Sequence, residues 1–378
     1  MKKKVLLNLL KVFMVIVFFS IPEAKALNNE PPGEFEPIEP DRIPSILTMI
    51  LNRTESNYNQ IRSWRGKLEI TTDYVYQGDR AKKVFIESIK SSGQAPSKLL
   101  EHRETNIEFS LDAENELLFA NYYNDSVTPL EYTDLENGNI LEVNGWLATR
   151  RAILTPKYQI DCLDIKQEGV VISRIAVKQI ACPEKNSNCD GHPVYDPRRS
   201  LSIGDQIWEF LPRLIKYINE HGKYSVDEYN LQVEERKTGD TIDYRIILPG
   251  RIQGDENYLF HKMVFSGDNG FNGVLLETTY HNQNDSRSIM FKRKMLEYEQ
   301  FGSVYVPRLT IEQEFDVMSG DIENEQTIHF KEQKINAPIS ADTFTYKNLG
   351  LQTGDRFVDK IVNKEYEYQD GEFIEIEK

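Results

Sequence analysis

VYVPRLTIEQEFDVMSGDIENEQTIHFKEQKINAPISADTFTY, residues Val304 to Tyr346, holds two period-two segments around one turn. Leu309, Ile311, Phe315 and Val317 share one parity, and Arg308, Thr310, Glu312, Glu314 and Asp316 fall between them. This alternation predicts a strand with one buried face. Ser319-Gly320-Asp321 is a turn signal, and Ile328 and Phe330 alternate with Thr327, His329 and Lys331 on the return. The stretch is therefore expected to form a long antiparallel hairpin, apolar on one side and charged on the other.

The same rhythm extends upstream. Leu231–Arg236 and Ile242–Leu248 flank Thr238-Gly239-Asp240. Tyr258–Phe265 and Val274–His281 flank Ser266-Gly267-Asp268-Asn269-Gly270, and Ile289–Tyr298 follows. With the opening hairpin this makes about seven meandering antiparallel strands. Further strands are expected from Trp64 onward, through KKVFIESIK, EHRETNIEFSLDAENELLFANYY and Gln167–Ile180. Two helices stand apart from this pattern. One starts with Asp41 as a cap and carries Ile43, Ile46, Leu47, Ile50, Leu51, Tyr58 and Ile61 at helical spacing. The other, Ile203–Ile218, crowds Ile207, Trp208, Phe210, Leu211, Leu214 and Ile215 onto one broad face, with Pro212 as a kink. Both suit helices laid on a sheet, and the second also suits a cavity lining.

The chain of 378 residues opens on Lys2, Lys3 and Lys4, an apolar run Val12–Ile21, and Ala24 and Ala26 in A-x-A spacing. These predict a signal peptide over 1–26 with cleavage near Ala26, placing the mature protein in the periplasm or outside the cell; an uncleaved anchor is the alternative. Removing 1–26 leaves 40 basic against 59 acidic residues, a net charge of −19. That balance disfavours nucleic acid and anionic membranes as partners. Residues 27–40, rich in Pro and Glu, read as a linker before a domain over 41–378, and 182–200 as an irregular insertion.

Cys182 and Cys189 bracket a loop of turn-forming residues and form the preferred disulfide, with Cys162–Cys182 as the alternative. The spacing of Cys182, Cys189 and His192 matches no common zinc pattern. His261 and His281 could face each other across one hairpin, but no third ligand accompanies them. No H-E-x-x-H, G-x-S-x-G or Walker glycine loop occurs. The expectation is a protein without catalytic residues, metal or cofactor.

The ends of the chain carry a resemblance. Ile61-Arg62-Ser63-Trp64-Arg65-Gly66-Lys67-Leu68, Tyr305-Val306-Pro307, and the run from Lys334-Ile335-Asn336-Ala337-Pro338 through Asp342-Thr343-Phe344-Thr345-Tyr346 to Leu349–Asp355 resemble exported LolA-like proteins, the periplasmic lipoprotein-carrier fold, as found in planctomycete-type bacteria. The resemblance implies an α+β fold: a large antiparallel curved sheet, an incomplete β-barrel, with helices covering its concave face. It also implies an apolar cavity holding lipid or lipoprotein acyl chains, each buried methylene contributing about 0.8 kcal/mol. Trp208, Phe210, Leu211, Leu309, Ile311 and Phe315 are the expected lining. A non-catalytic module that binds an envelope protein partner is the second expectation, and a secreted hydrolase the third.

Overall fold

The computed structural model describes residues 34–75, 94–96, 100–127, 130–134, 140–143, 149–167, 170–180, 197–200, 231–251, 258–281, 287–316 and 320–376. They fall in the compact unit Phe35–Lys378, save Glu34. The expected signal peptide, the 27–33 part of the linker, the Ile203–Ile218 helix and the Cys182–Cys189 loop lie outside the described residues.

The described chain is dominated by strands. In order they are β1 (Glu36–Pro37), β2 (Ser63–Val75), β3 (Gln94–Pro96), β4 (Leu100–Asp112), β5 (Leu117–Val127), β6 (Leu130–Asp134), β7 (Ile140–Val143), β8 (Arg150–Leu154), β9 (Tyr158–Gln167) and β10 (Val170–Ile180). The second half contributes β11 (Gln232–Thr238), β12 (Thr241–Arg251), β13 (Tyr258–Ser266), β14 (Asn272–His281), β15 (Arg287–Phe301), β16 (Val304–Phe315) and β17 (Ile322–Ile335). Three short strands follow, β18 (Arg356–Asp359), β19 (Lys364–Gln369) and β20 (Glu372–Glu375). One α-helix, α1 (Ile43–Asn59), is described.

Seventeen strands pair into one sheet. β1 joins β11, and β11 to β17 follow as an antiparallel meander. β17 then pairs with β2, and the sheet continues through β4, β5, β8, β9 and β10. β18 adds in parallel to β10 and leads to β19 and β20. β1 and β20 do not pair, so the curved sheet remains unclosed. β3, β6 and β7 form a separate small sheet.

The turns predicted at Thr238–Asp240 and Ser266–Gly270 are formed, and Ser319 of the third lies outside the described residues. Gly239 adopts φ 62° between β11 and β12, and Gly270 φ 65° between β13 and β14. At Gly267 a Cβ would lie 2.6 Å from the Ile242 carbonyl oxygen, so only glycine lets this turn pass the neighbouring strand. The helix start is corrected. Arg42, not Asp41, occupies the N-cap, and no side chain caps the helix there; Pro44 in the first turn needs no amide partner.

Three apolar clusters hold the fold. α1 places Ile43, Ile46, Leu47 and Ile50 on Val233, Tyr244, Ile246, Met263, Phe265 and Met295. A second cluster, centred on Trp64, Leu68, Ile107, Leu111, Ile328 and Phe330, spans β2, β4 and β17. Trp64 stacks on Phe330 at 5.5 Å and meets Phe109 edge-on at the same separation. The third lies on the opposite face of β8–β10, where Leu349 and Phe357 cover Ile153, Ile160, Cys162 and Ala176.

Candidate functional site: the α1 face of the sheet

Paired residues in a ladder share a face, so the register sorts side chains into transverse rows. On the face that carries α1, one row runs Phe330, Leu68, Ile107 and Tyr122 across β17, β2, β4 and β5. The next row runs Met295, Thr310, Ile328, Ile70 and Thr105 across β15, β16, β17, β2 and β4. All are buried. The third row changes character: Arg293, Glu312, Gln326, Thr72 and Arg103 follow across the same five strands. An apolar floor thus passes into a polar belt within one strand repeat.

The belt holds one ion pair and one hydrogen bond: Arg293 Nε lies 2.8 Å from Glu312 Oε1 as a charge pair without hydrogen-bond geometry, and Gln326 Nε2 donates to Thr72 Oγ1 at 3.1 Å. On the far side, Arg150 donates to Asp161 Oδ1 through Nε at 2.9 Å and stands 5.1 Å over the Tyr122 ring. Gln159 Nε2 donates to Asp161 Oδ2 at 2.5 Å. Buried charges are tolerated where paired and hydrogen-bonded in this way. Thr310 differs: its side chain is fully buried, and Oγ1 has no hydrogen-bond partner.

Of the residues expected to line a cavity, Trp208, Phe210 and Leu211 lie outside the described residues, as do Cys182 and Cys189. Leu309 and Ile311 are corrected. They pair with His329 and Thr327, whose partners on β2 are Glu69 and Thr71, so they occupy the face opposite the floor and are half-buried. Phe315 is half-buried beside a register shift at the end of β16. The buried residues of β16 are Val304, Val306, Pro307 and Thr310. Period two shows which residues share a face, but the partner strands decide which face meets the core.

Cys162 is a free, buried thiol, which closes the Cys162–Cys182 alternative. The two histidines do not meet: His261 pairs with Thr278, with Nδ1 3.1 Å from Oγ1, whereas His281 pairs with Tyr258. Burial lowers the pKa of His261. Among the described residues, no group of three His, Cys, Asp or Glu side chains is arranged to hold a metal. Thr310, Gln326, Thr72 and Arg293 were not singled out from the sequence; their only signal was polarity inside β-rich segments.

Two polar grooves, of about 630 and 550 Å³, meet at Gln60, Gly302 and Ser303 beyond the C-terminus of α1. Their amides serve the fold itself. Asn336 accepts from the Arg62 and Ser63 amides and donates to the Gln60 carbonyl, and Ser303 donates to Gln60 Oε1.

No family model matches the chain, and no curated protein does. Solved structures similar to this chain include three at low identity. A LolA superfamily protein from Nitrosomonas europaea is 11% identical, with a TM-score of 0.31 over 80% of this chain and 98% of that one. A DUF1329 family protein from Desulfovibrio piger is 8% identical, with a TM-score of 0.33 over 82% and 100%. A Vibrio parahaemolyticus domain named for outer membrane lipoprotein sorting is 6% identical, with a TM-score of 0.32 over 80% and 97%. At these identities and TM-scores the likeness transfers neither family, ligand nor residue role.

Proposed function

We propose that this protein is an exported cell-envelope protein that binds an apolar ligand, such as the acyl chains of a lipid or lipoprotein, along the α1 face of its open sheet. The observation that carries the reading is the floor of Leu68, Ile70, Ile107, Ile328 and Phe330. It belongs to a cluster separate from the one that α1 fills, which α1 itself touches through Tyr58. An unclosed sheet with such a floor suits a concave apolar site with polar groups at its margin. Trp208, Phe210 and Leu211 are proposed to contribute to the lining. In this reading the chain binds and does not catalyse. No described helix is long and apolar enough to cross a membrane.

Native mass spectrometry of protein extracted from the cell envelope tests this. Co-purifying acyl lipid is expected, together with uptake of phenylnaphthylamine that Trp208→Ala weakens. Lipid-free protein that also fails to take up the probe would overturn it.

A second reading, binding of an envelope protein partner, is favoured by one observation. The Lys360 amide donates to the Lys178 carbonyl at 2.9 Å, which brings exposed Ile361 and Val362 close to exposed Ile180. Replacing Ile361 and Val362 with Ser would abolish capture of such a partner while leaving phenylnaphthylamine uptake unchanged. Capture that survives the replacement counts against this reading.

A further inference from the structure

We infer that the ligand of the α1 face is an amphiphile with a carbonyl-bearing head, and that the Thr310 hydroxyl donates a hydrogen bond to that carbonyl. The inference rests on the apolar-ligand reading above and adds the chemistry of the head.

The geometry places a boundary at Thr310. Within its row it lies between Met295 and Ile328, with Ile70 beyond, and all of these are buried. One strand repeat away, about 7 Å along β16, Glu312 begins the polar belt. A chain lying on Leu68, Ile107 and Phe330 and leaving the floor toward the belt must pass Thr310. In the belt Glu312 meets Arg293, and Gln326 and Thr72 offer amide and hydroxyl groups.

The second observation is independent of the rows. A fully buried hydroxyl without a partner is costly and rare, and Thr310 Oγ1 is such a group. A carbonyl oxygen supplies the acceptor it lacks. A hydrocarbon tail alone would leave it unmet.

The experiment displaces phenylnaphthylamine from the full chain, freed of lipid, with dioctanoylglycerol or with hexadecane. Thr310→Val keeps the side-chain shape and removes the hydroxyl, and Thr310→Ser retains it. Thr310→Val is expected to weaken dioctanoylglycerol binding about tenfold and to leave hexadecane unchanged. Thr310→Ser should bind dioctanoylglycerol within a factor of about two of wild type. Without ligand, Thr310→Val should resist urea better than wild type, because its unpartnered hydroxyl is gone. Equal binding of dioctanoylglycerol by wild type and Thr310→Val overturns the head-group assignment alone. A wild type that binds neither compound overturns the apolar-ligand reading as well.

Discussion

Asn57 and Tyr305 exchange two hydrogen bonds: the Tyr305 amide donates to Asn57 Oδ1 at 2.7 Å, and Asn57 Nδ2 donates to the Tyr305 carbonyl at 2.9 Å. A single buried side chain on α1 thereby completes the backbone of β16 as a neighbouring strand would. The same amide nitrogen lies 3.2 Å from Asn272 Oδ1 on β14, so the helix is tied to two strands at once.

Asn57→Asp keeps the shape and removes the donor. The carboxylate would face the carbonyl oxygens of Tyr305 and Asn272 with nothing to give. A loss of about 2 kcal/mol or more is expected in urea denaturation, with the slope unchanged. Wild-type stability would refute the tie.

Asp355 anchors the C-terminal strands. Its carboxylate accepts from the Arg174 amide at 2.8 Å and the Gln352 amide at 2.7 Å, and Arg174 also lies 3.0 Å from Asp164. Asp355→Asn is expected to cost about 3 kcal/mol, because the half-buried Arg174 guanidinium, 3.6 Å from the carboxylate, loses one of its two counter-charges. Limited proteolysis should then cut within 340–378 first. An unchanged cleavage pattern would show that apolar packing of Phe357 and Leu349 suffices.

The Lys178–Asp359 pair, 2.8 Å apart, joins β10 to β18 and sets an acid limb of stability. Burial pushes the Asp359 carboxyl up, but hydrogen bonds from Lys178 and from the Val362 and Ile361 amides outweigh it and hold the pKa below the usual value. The unfolded chain therefore takes up this proton first as pH falls. The contribution is complete above the ordinary carboxylate pKa and is lost as pH falls through the depressed folded value. Asp359→Asn should lower stability at neutral pH by about 1–3 kcal/mol and flatten the acid limb, as read from unfolding midpoints between neutral and acidic pH. A limb as steep as wild type would assign it elsewhere.

The Cys162 thiol is fully buried, and burial pushes its pKa to about 11. At neutral pH it should resist iodoacetamide in the folded protein and react on unfolding in urea, as mapped on its peptide by mass spectrometry. Modification in the folded state at the rate of a free thiol would contradict this burial.

Local chemistry made much of the meander legible. Glycine at Gly239 and at Gly267–Gly270 marks turns that other residues resist, and β-rich runs such as Leu231–Arg236 and Val274–His281 lie beside them. The α1 stripe was legible too, although Thr54 and Asn57 complete it at the same spacing and are buried. Their polarity hid them, since their partners lie more than 200 residues away.

By itself, then, the order of residues determined the strands of the meander, their turns and the presence of α1, because each depends on interactions between near neighbours. Tertiary structure alone decided which face of β16 is buried, that β17 pairs with β2, that β18 runs parallel to β10, and that Thr310 rather than Leu309 or Ile311 meets the core. A register shift between Lys331 and Lys334 likewise leaves Gln333 hydrogen-bonded to the Trp64 indole, at 3.2 Å. These outcomes depend on register between strands far apart in the chain, and a one-residue slip would exchange the faces without altering the alternation.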